Sequence, residues 1–526
     1  MGGMTNGLDR AGGIAALADA TTWDLVIIGG GATGLGTALD AAARGYRTLL
    51  LEGHDFAKGT SSRATKLVHG GVRYLAQGNI PLVRHALHER GRLLANAPQV
   101  TRRQGFVVPC YRWWDMAFYG AGLFAYDLLA GRLGLGRSRL LSRAEVMRRL
   151  PTVKTEGLVG GIHYYDGQFD DSRLALTLAA SAADHGATLL NYVRVTGLLK
   201  DDGRIAGVTA RDMETGTDYR IQARAVVNAA GIFMDEIRHM DRPDLAEGLS
   251  LSQGIHLVLD PDFLSSDDAI LIPKTDDGRV LFVLPWLGRT VIGTTDTPIE
   301  TASLEPRALE AEIQFLLEHA AEYLTRVPTR SDVLSVFTGI RPLVKVKGAS
   351  GTSAVPRDHV LMVSDSGLVT ITGGKWTTYR EMAEQTVDAA AKAGHLTPKP
   401  SPTKDLRLHG WTPRERIDSA DPLAAYGADA PKVRAVLAEQ KGWDAPMHPD
   451  LPYALGEAAY AARHLMARTV EDVLSRRTRA LLLNATAAIA AAPAVAKVLA
   501  AELGKDAEWI DRQVAEFTEL AGVYRV

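Results

Sequence analysis

Residues Trp23 to Gly53 read WDLVIIGGGATGLGTALDAAARGYRTLLLEG, and this stretch decides the fold. Trp23 leads into an apolar run, Leu25 to Ile28, that reads as a buried strand, and the run breaks at Gly29, Gly31 and Gly34 in Gly-x-Gly-x-x-Gly spacing. An alanine-rich helix follows, Gly45 closes it, Thr48 to Leu51 reads as a second buried strand, and Glu52 stands eighteen residues after Gly34. Gly29 permits the tight turn, Gly31 lets a pyrophosphate approach the backbone, and Gly34 lets helix and strand pack closely. The helix N-terminus then faces the phosphates. A carboxylate at the end of the second strand accepts hydrogen bonds from a ribose, so Glu52 favours FAD or NAD over NADP.

Working outward, the polar segment 54 to 75 holds Thr60, Ser61, Ser62, Lys66, His69, Gly70, Gly71, Arg73 and Tyr74. Its hydroxyls and backbone amides can continue a phosphate and ribityl cradle, with Arg73 and His69 adding a cation and a titratable base. Residues 80 to 97 and 142 to 150 have helical spacing. His85 and His88 in the first of these are followed by no further ligand set, so no metal is expected.

From Leu158 the pattern turns to short strands, then to a helix through Asp171 to His185. Strands are expected at Thr188 to Leu199, which includes Val195, at Arg204 to Met213 and at Tyr219 to Ile221, with Asp202-Gly203 and Thr215-Gly216 as hairpin turns. Ala225 to Gly231 reads as a parallel strand returning to the nucleotide sheet and ending in a glycine turn. Between about 249 and 300 the alternation is antiparallel, and His256, Thr294, Thr295 and Asp296 fall near strand edges. Two strands after a helical stretch each lie close to a cation, Arg341 and Arg357. Leu368 to Arg380 is then a second strand-to-helix anion turn, with Gly373, Gly374, Lys375 and Thr377. One chain so closes both ends of a long ligand, which fits FAD better than a detachable nicotinamide. A proline-rich linker, Thr397 to Lys404, precedes a helical final section.

The whole chain sets limits. At 526 residues two or three domains are expected. A net charge of −2 offers no global field for nucleic acid, so no nucleic-acid partner is expected. The single Cys110 excludes an internal disulfide and suits a reducing compartment. Residues 1 to 22 lack a basic start and a long apolar core and read as a loose extension rather than a secretory signal. No run of 18 uncharged apolar residues occurs, so a spanning helix is not expected. The nearest candidate, Trp113 to Gly136, carries Asp115, Asp127 and Arg132 and is flanked by Arg102, Arg103, Arg112, Arg137 and Arg139. It reads as a core helix with a wet face, or else as a segment lying on a membrane surface.

Taken together, IGGGATGLG, TSSRATKLVHGGVRYL, GIHLVL, VIGTTD, GIRPLV, PRDHVL and TGGKWTTYR resemble the FAD-dependent, quinone-linked glycerol-3-phosphate dehydrogenases. The glycine unit is shared by every flavoprotein of this fold; the His-Gly-Gly-x-Arg-Tyr-Leu and Gly-Gly-Lys-x-Thr-Thr-Tyr-Arg elements are far more specific. The resemblance implies an α/β fold: an FAD-binding Rossmann-like domain with an antiparallel-sheet substrate domain, as in glutathione-reductase and D-amino-acid-oxidase flavoproteins, and a helical C-terminal domain. The FAD-binding parts are then about 23–100, 150–235 and 355–396, the substrate parts about 101–149 and 236–354, and the helical domain 397–526.

The same resemblance implies oxidation of glycerol 3-phosphate to dihydroxyacetone phosphate with FAD, and electrons passed to a quinone. His256 is the first candidate for the base and His69 the second, either being able instead to hydrogen-bond the flavin or orient the substrate. Lys375 could also stabilise developing charge. Arg73, Tyr74, Arg341, Arg357 and Lys375 are the candidates for binding substrate and its phosphate. Gly29, Gly31, Gly34, Glu52, Thr60, Ser61, Ser62, Lys66, Gly70, Gly71, Val195, Gly231, Gly373, Gly374 and Thr377 are those for FAD. A quinone acceptor implies peripheral contact with the cytoplasmic face of the cell membrane, and a homodimer is compatible with the resemblance. Lys345, Lys347, Trp376 and Ile232-Phe233 depart from the family pattern without removing a catalytic candidate. An oxidase using oxygen would share most of these residues but carries an extra central insertion not found here. A flavin-dependent amine oxidase has less reason to gather four cations, and a flavin-bound module that only binds a partner has no reason to retain the His and Arg set.

Overall fold

The computed structural model describes residues 8–18, 21–71, 79–273, 280–345 and 359–526. Trp23–Ile28 stands inside an eight-stranded sheet, parallel on one side to Thr48–Leu51 and on the other to the second half of Asp218–Asn228, with Leu25 opposite both Thr48 and Ala225. Val369–Gly373 continues the parallel order, His359–Val363 closes that edge antiparallel, and Thr188–Leu190 closes the other. Both faces are covered, which is why these strands are apolar without alternation. Leu25, Ile27 and Leu50 pack under the helices Ala32–Ala43, Asp171–Asp184 and Tyr379–Ala393. Val26, Ile28, Leu49 and Leu51 face the opposite layer, built on Val193–Asp201 and Arg204–Asp212.

Two local readings change. Tyr219–Ile221 and Ala225–Asn228 are one strand, because Gln222, Ala223 and Arg224 keep the alternation that lets it pair first with Arg204–Asp212 and then with Trp23–Ile28. The expected strand from Thr188 to Leu199 is instead two, broken at Tyr192, whose φ of 56° turns the chain. Residues Arg10–Leu17, within the expected loose extension, form a helix capped by Asp9, and Arg10 pairs with Asp212 at 2.7 Å.

The second sheet has ten strands, with Leu249–Leu259 paired to Ser335–Val344 from Leu249 through Val258. It is antiparallel except where Ala269–Ile272 runs parallel to Thr101–Cys110. Gly160–Phe169 pairs with Thr101–Cys110 in this sheet, so the segment from about 150 stays with the second sheet through Phe169. One face packs on Glu310–Tyr323 through Ile313, Leu316 and Ala320.

The opposite face carries the C-terminal section. Val258, Trp286 and Phe337 of the sheet share one cluster with Tyr460, Leu482 and Ala488, so this section has no separate core. Ala485–Leu503 is long and apolar enough to cross a membrane by length and composition, but half of it is buried in that cluster. A final helix, Ala507–Gly522, escaped the sequence reading although Asp506 caps it on Trp509 N–H. The proline-rich linker is stitched to the C-terminal end of Ala32–Ala43, with Arg44 donating to Lys399 O and Tyr46 to Thr397 O at 2.8 and 2.7 Å.

His409 pins the same section to the nucleotide side, its two ring nitrogens 2.6 Å from Asp184 and 2.5 Å from Asp429. Hydrogen bonds to Asp184 and Asp429 hold the imidazolium up to about 9, against an opposing effect of burial. A folded value above the ordinary one stabilises fully below pH 6.5, and that stability is lost as pH rises through about 9. We therefore expect unfolding free energy to fall by about 2 kcal/mol from this group between pH 6.5 and 9.5, and His409→Gln to remove that component of the slope, read by denaturant titration.

Candidate active site

Three neighbouring parallel strands, Trp23–Ile28, Asp218–Asn228 and Val369–Gly373, end at one edge of the first sheet, and glycines follow or close each. Gly29 (φ 108°), Gly231 (φ 59°) and the pair Gly373 and Gly374 (φ 74° and 73°) occupy left-handed or related backbone that side chains resist. A Cβ at Gly34 would stand 1.9 Å from Gly29 O, so the close approach of helix to strand requires that glycine. Between these turns lies a cavity of about 320 Å³, and both anion turns open on it: Gly31, Ala32 and Thr33 from the first, Gly373 to Thr377 from the second.

The Thr60–Lys66 segment crosses between the two sheets. Ser61 Oγ accepts from Ala32 N–H at 2.9 Å at the start of Ala32–Ala43, and Thr60 Oγ1 donates to Ile340 O at 2.6 Å. Trp376 Nε1 donates to Ser61 O at 2.9 Å, tying the second turn to the same segment. Glu52 accepts from Gly30 N–H at 2.6 Å and His54 N–H at 2.8 Å, and burial pushes its carboxyl above the ordinary range.

His256 lies on Leu249–Leu259 opposite Gly293 and Phe337. Its ring stacks on Phe337 at 4.7 Å, and Nε2 is 2.9 Å from Thr65 Oγ1. A Cβ at Gly293 would fall 2.1 Å from His256 Cδ2, so glycine there makes room for the ring. Burial, then the charges of Lys66 and Arg341, holds the imidazole well below its ordinary value, hence neutral at pH 7. Arg341 is fixed by Thr295 O at 3.0 Å, Thr294 Oγ1 at 3.2 Å and Asp296 at 3.3 Å. Lys375 lies on the cavity wall with its ammonium enclosed.

Of the residues singled out from sequence, the cavity wall gathers Gly31, Thr60, Ser61, His69, Gly231, His256, Arg341, Gly373, Gly374, Lys375 and Thr377. Gly29, Gly34 and Glu52 build the first turn behind it. Gly71 takes φ 79°, and Gly70 packs on Leu87 and the Tyr126 hydroxyl. Arg73, Tyr74 and Arg357 lie outside the described residues.

Three further expected cofactor residues, Lys66, Ser62 and Val195, do not line this cavity. Lys66, at φ 66°, turns its ammonium away from the cavity to Asp171 at 2.8 Å and Ser62 O at 2.9 Å, fully buried. Ser62 presents its carbonyl to that core, and Val195 is buried in the apolar layer against the first sheet. Arg63 and Thr65, passed over in the same segment, line the cavity instead; Arg63 pairs with Glu305 at 2.7 Å.

The site fits an FAD. Gly231 has nothing within 4 Å of where a side chain would stand, and Gly31 only Ser61 Oγ at 3.0 Å, leaving a backbone cradle open to a bulky ligand. His256 Nδ1 is buried without a hydrogen bond among the described residues.

Comparison with known proteins agrees. Residues 24–380 match the family model for FAD-dependent oxidoreductases, and residues 368–510 the model for the C-terminal domain of alpha-glycerophosphate oxidase. The mitochondrial glycerol-3-phosphate dehydrogenase SDP6 of Arabidopsis thaliana is 42% identical over 91% of this chain and 82% of its own. The mitochondrial glycerol-3-phosphate dehydrogenase of Homo sapiens is 39% identical over 97% and 74%. The glycerol-3-phosphate dehydrogenase of Bacillus halodurans, solved with FAD, superimposes with a TM-score of 0.81 at 31% identity, covering 98% of both chains. Sequence identity at this level over most of both chains, on the architecture and glycine cradle described above, shows that the chain belongs to the FAD-dependent glycerol-3-phosphate dehydrogenases, with FAD as cofactor.

Proposed function

We propose that the protein oxidises sn-glycerol 3-phosphate to dihydroxyacetone phosphate in this cavity and passes the electrons to a quinone at a membrane surface. The convergence of both glycine turns with His256, Arg341 and Lys375 on one cavity carries the reading. FAD, when bound, supplies the acceptor for the C2 hydrogen as hydride. Arg341 and Lys375 bind the substrate phosphate by charge-assisted hydrogen bonds, with Arg73 and Arg357 joining them by their motif positions. Asp296 and the Thr295 carbonyl keep the Arg341 guanidinium from swinging away. His256 takes the hydroxyl proton at Nε2, the ring nitrogen beside Thr65 of the cavity wall. Its depressed value keeps it in the proton-accepting form throughout the neutral range.

Membrane contact is supported by Trp113–Ala130. Gly120, Leu123, Tyr126 and Ala130 are buried, but the outward face is apolar rather than wet: Trp113, Phe118 and Leu128 are 64%, 68% and 83% exposed. Trp114 and Phe124 join them, and exposed Arg112, Arg132, Arg137 and Arg139 flank the helix along the chain. Monomeric surfaces rarely leave such a stripe uncovered, and aromatics with a basic border suit an interface of anionic lipid. We place the protein on the cytoplasmic face, where the reduced, buried Cys110 is at home.

Two measurements test these steps. Turnover with glycerol 3-phosphate should be supported by a soluble quinone analogue and far less by oxygen; equal rates with oxygen would assign an oxidase. Replacing Trp113, Trp114 and Phe118 together by serine should weaken sedimentation with anionic phospholipid vesicles by about tenfold or more, while flavin reduction in solution stays within about twofold. Unchanged vesicle binding would remove the helix from the account.

A further inference from the structure

We propose that Arg479 is a positioning residue for the oxidation, acting from the C-terminal section through the Ser62–Lys66 segment on His256. The inference rests on the function proposed above. Arg479 precedes Ala480–Leu483 and is buried in the contact between the helical section and the FAD side. Its guanidinium donates to Ser62 O at 2.6 Å, to Asp171 Oδ1 at 3.1 Å and to Ser475 O at 2.8 Å.

The Asp171 carboxylate is the shared anchor. It also accepts from Lys66 Nζ at 2.8 Å and from Ala64 N–H at 2.9 Å. The back of the segment is therefore held by two cations and one carboxylate, while Arg63, Ala64 and Thr65 on its front line the cavity. Thr65 in turn fixes His256 Nε2, and Phe337 lies 4.7 Å both from the His256 ring and from Lys66 Nζ. Removing Arg479 leaves Ser62 O with one donor fewer and Asp171 with one cation, so the segment gains freedom where it sets the angle of the imidazole. Placement errors of about 1 Å at a reacting group cost up to about 100-fold in rate. Neither glycine turn of the FAD cradle is touched by Arg479, so cofactor affinity is separable from the effect.

The neighbouring arginines act at a different point. Arg476 and Arg477 both donate to Asp55, which follows the Glu52 turn and also accepts from Asn191 Nδ2 at 3.1 Å. They hold the helical section on the FAD side, whereas Arg479 alone of the three reaches the segment that contacts His256.

The test uses the full chain with FAD bound, mixed anaerobically with glycerol 3-phosphate. For Arg479→Met we expect the limiting rate of flavin reduction per bound FAD to fall about tenfold or more, with the substrate dissociation constant changed less than about threefold. The FAD dissociation constant, measured by flavin fluorescence, should also stay within about threefold, and Arg479→Lys should recover the rate to within about threefold of the parent. An unchanged rate per bound FAD, with only flavin content or thermal stability lowered, would overturn the inference. If Arg479→Met does not fold, Asp171→Asn keeps an acceptor for Ala64 N–H while removing the charge that holds both cations; a rate loss at retained FAD affinity supports the inference, and a parental rate overturns it. Failure of the functional reading itself would show differently, as no reduction of the parent protein.

Discussion

Replacement of His256 by asparagine is expected to lower the limiting rate of flavin reduction by glycerol 3-phosphate by about 10²- to 10⁴-fold, the range that loss of a positioned base commands. Asparagine can still accept or donate toward Thr65, so the segment that carries Thr65 retains a partner and FAD binding should persist. The loss should fall on the rate and not on substrate affinity, because the phosphate is held by Arg341 and Lys375 on other elements. Stopped-flow absorbance under anaerobic conditions separates the two. The pH profile carries a further sign. Burial and the charges of Lys66 and Arg341 depress the imidazole, so its protonation, and with it the acid limb of the free enzyme's profile, should lie below pH 6.5 rather than at it. A His256→Asn variant with a parental rate would pass the base to His69, which lines the same cavity.

The second large effect belongs to Gly34. A Cβ there would meet Gly29 O at 1.9 Å, and neither partner is the movable end of a side chain. The start of Ala32–Ala43 must then shift off the turn that its N-terminus shares with the cofactor. Gly34→Val should weaken FAD binding by about 100-fold or more and destabilise the fold by about 1–3 kcal/mol, the ordinary cost of overpacking. Gly59→Ala is the matched control, since nothing lies within 4 Å of its Cβ position, and it should retain the yellow protein. Flavin content after gel filtration and thermal unfolding read both. Full flavin retention in Gly34→Val would mean that the turn does not carry the cofactor.

The parts of this architecture that were legible are those in which local pattern and tertiary role coincide. Leu25 to Ile28 form a strand buried on both faces, and the glycines after it have one geometry that explains their spacing. The second turn, Gly373 to Thr377, was readable for the same reason, and both turns reach one cavity. Side-chain direction was less legible. Lys66 looked like a cradle residue among hydroxyls, but a single left-handed residue sends its ammonium to Asp171, more than a hundred positions away in sequence. Arg63, three positions before it, lines the cavity with no local mark in the sequence to say so.

Long-range burial was harder still. Nothing local in the sequence distinguishes Arg476, Arg477 and Arg479 from surface charges, and only the fold reveals that Asp55 and Asp171 receive them. The helix Trp113–Ala130 has enough apolar residues to cover both its faces, so periodicity could not tell which side meets the protein. Ala507–Gly522 carries a local signal, since its buried positions Trp509, Gln513, Phe517 and Ala521 recur every four residues behind the Asp506 cap, with charges between them.

The central claim is that this cavity oxidises glycerol 3-phosphate at FAD, and one measurement tests it most directly. The purified FAD protein is mixed anaerobically with glycerol 3-phosphate, flavin absorbance is followed, and a quinone analogue is then admitted. The account predicts bleaching that saturates with substrate, absent with unphosphorylated glycerol, and recovery when the quinone analogue enters. A flavin that stays oxidised under saturating glycerol 3-phosphate would contradict it.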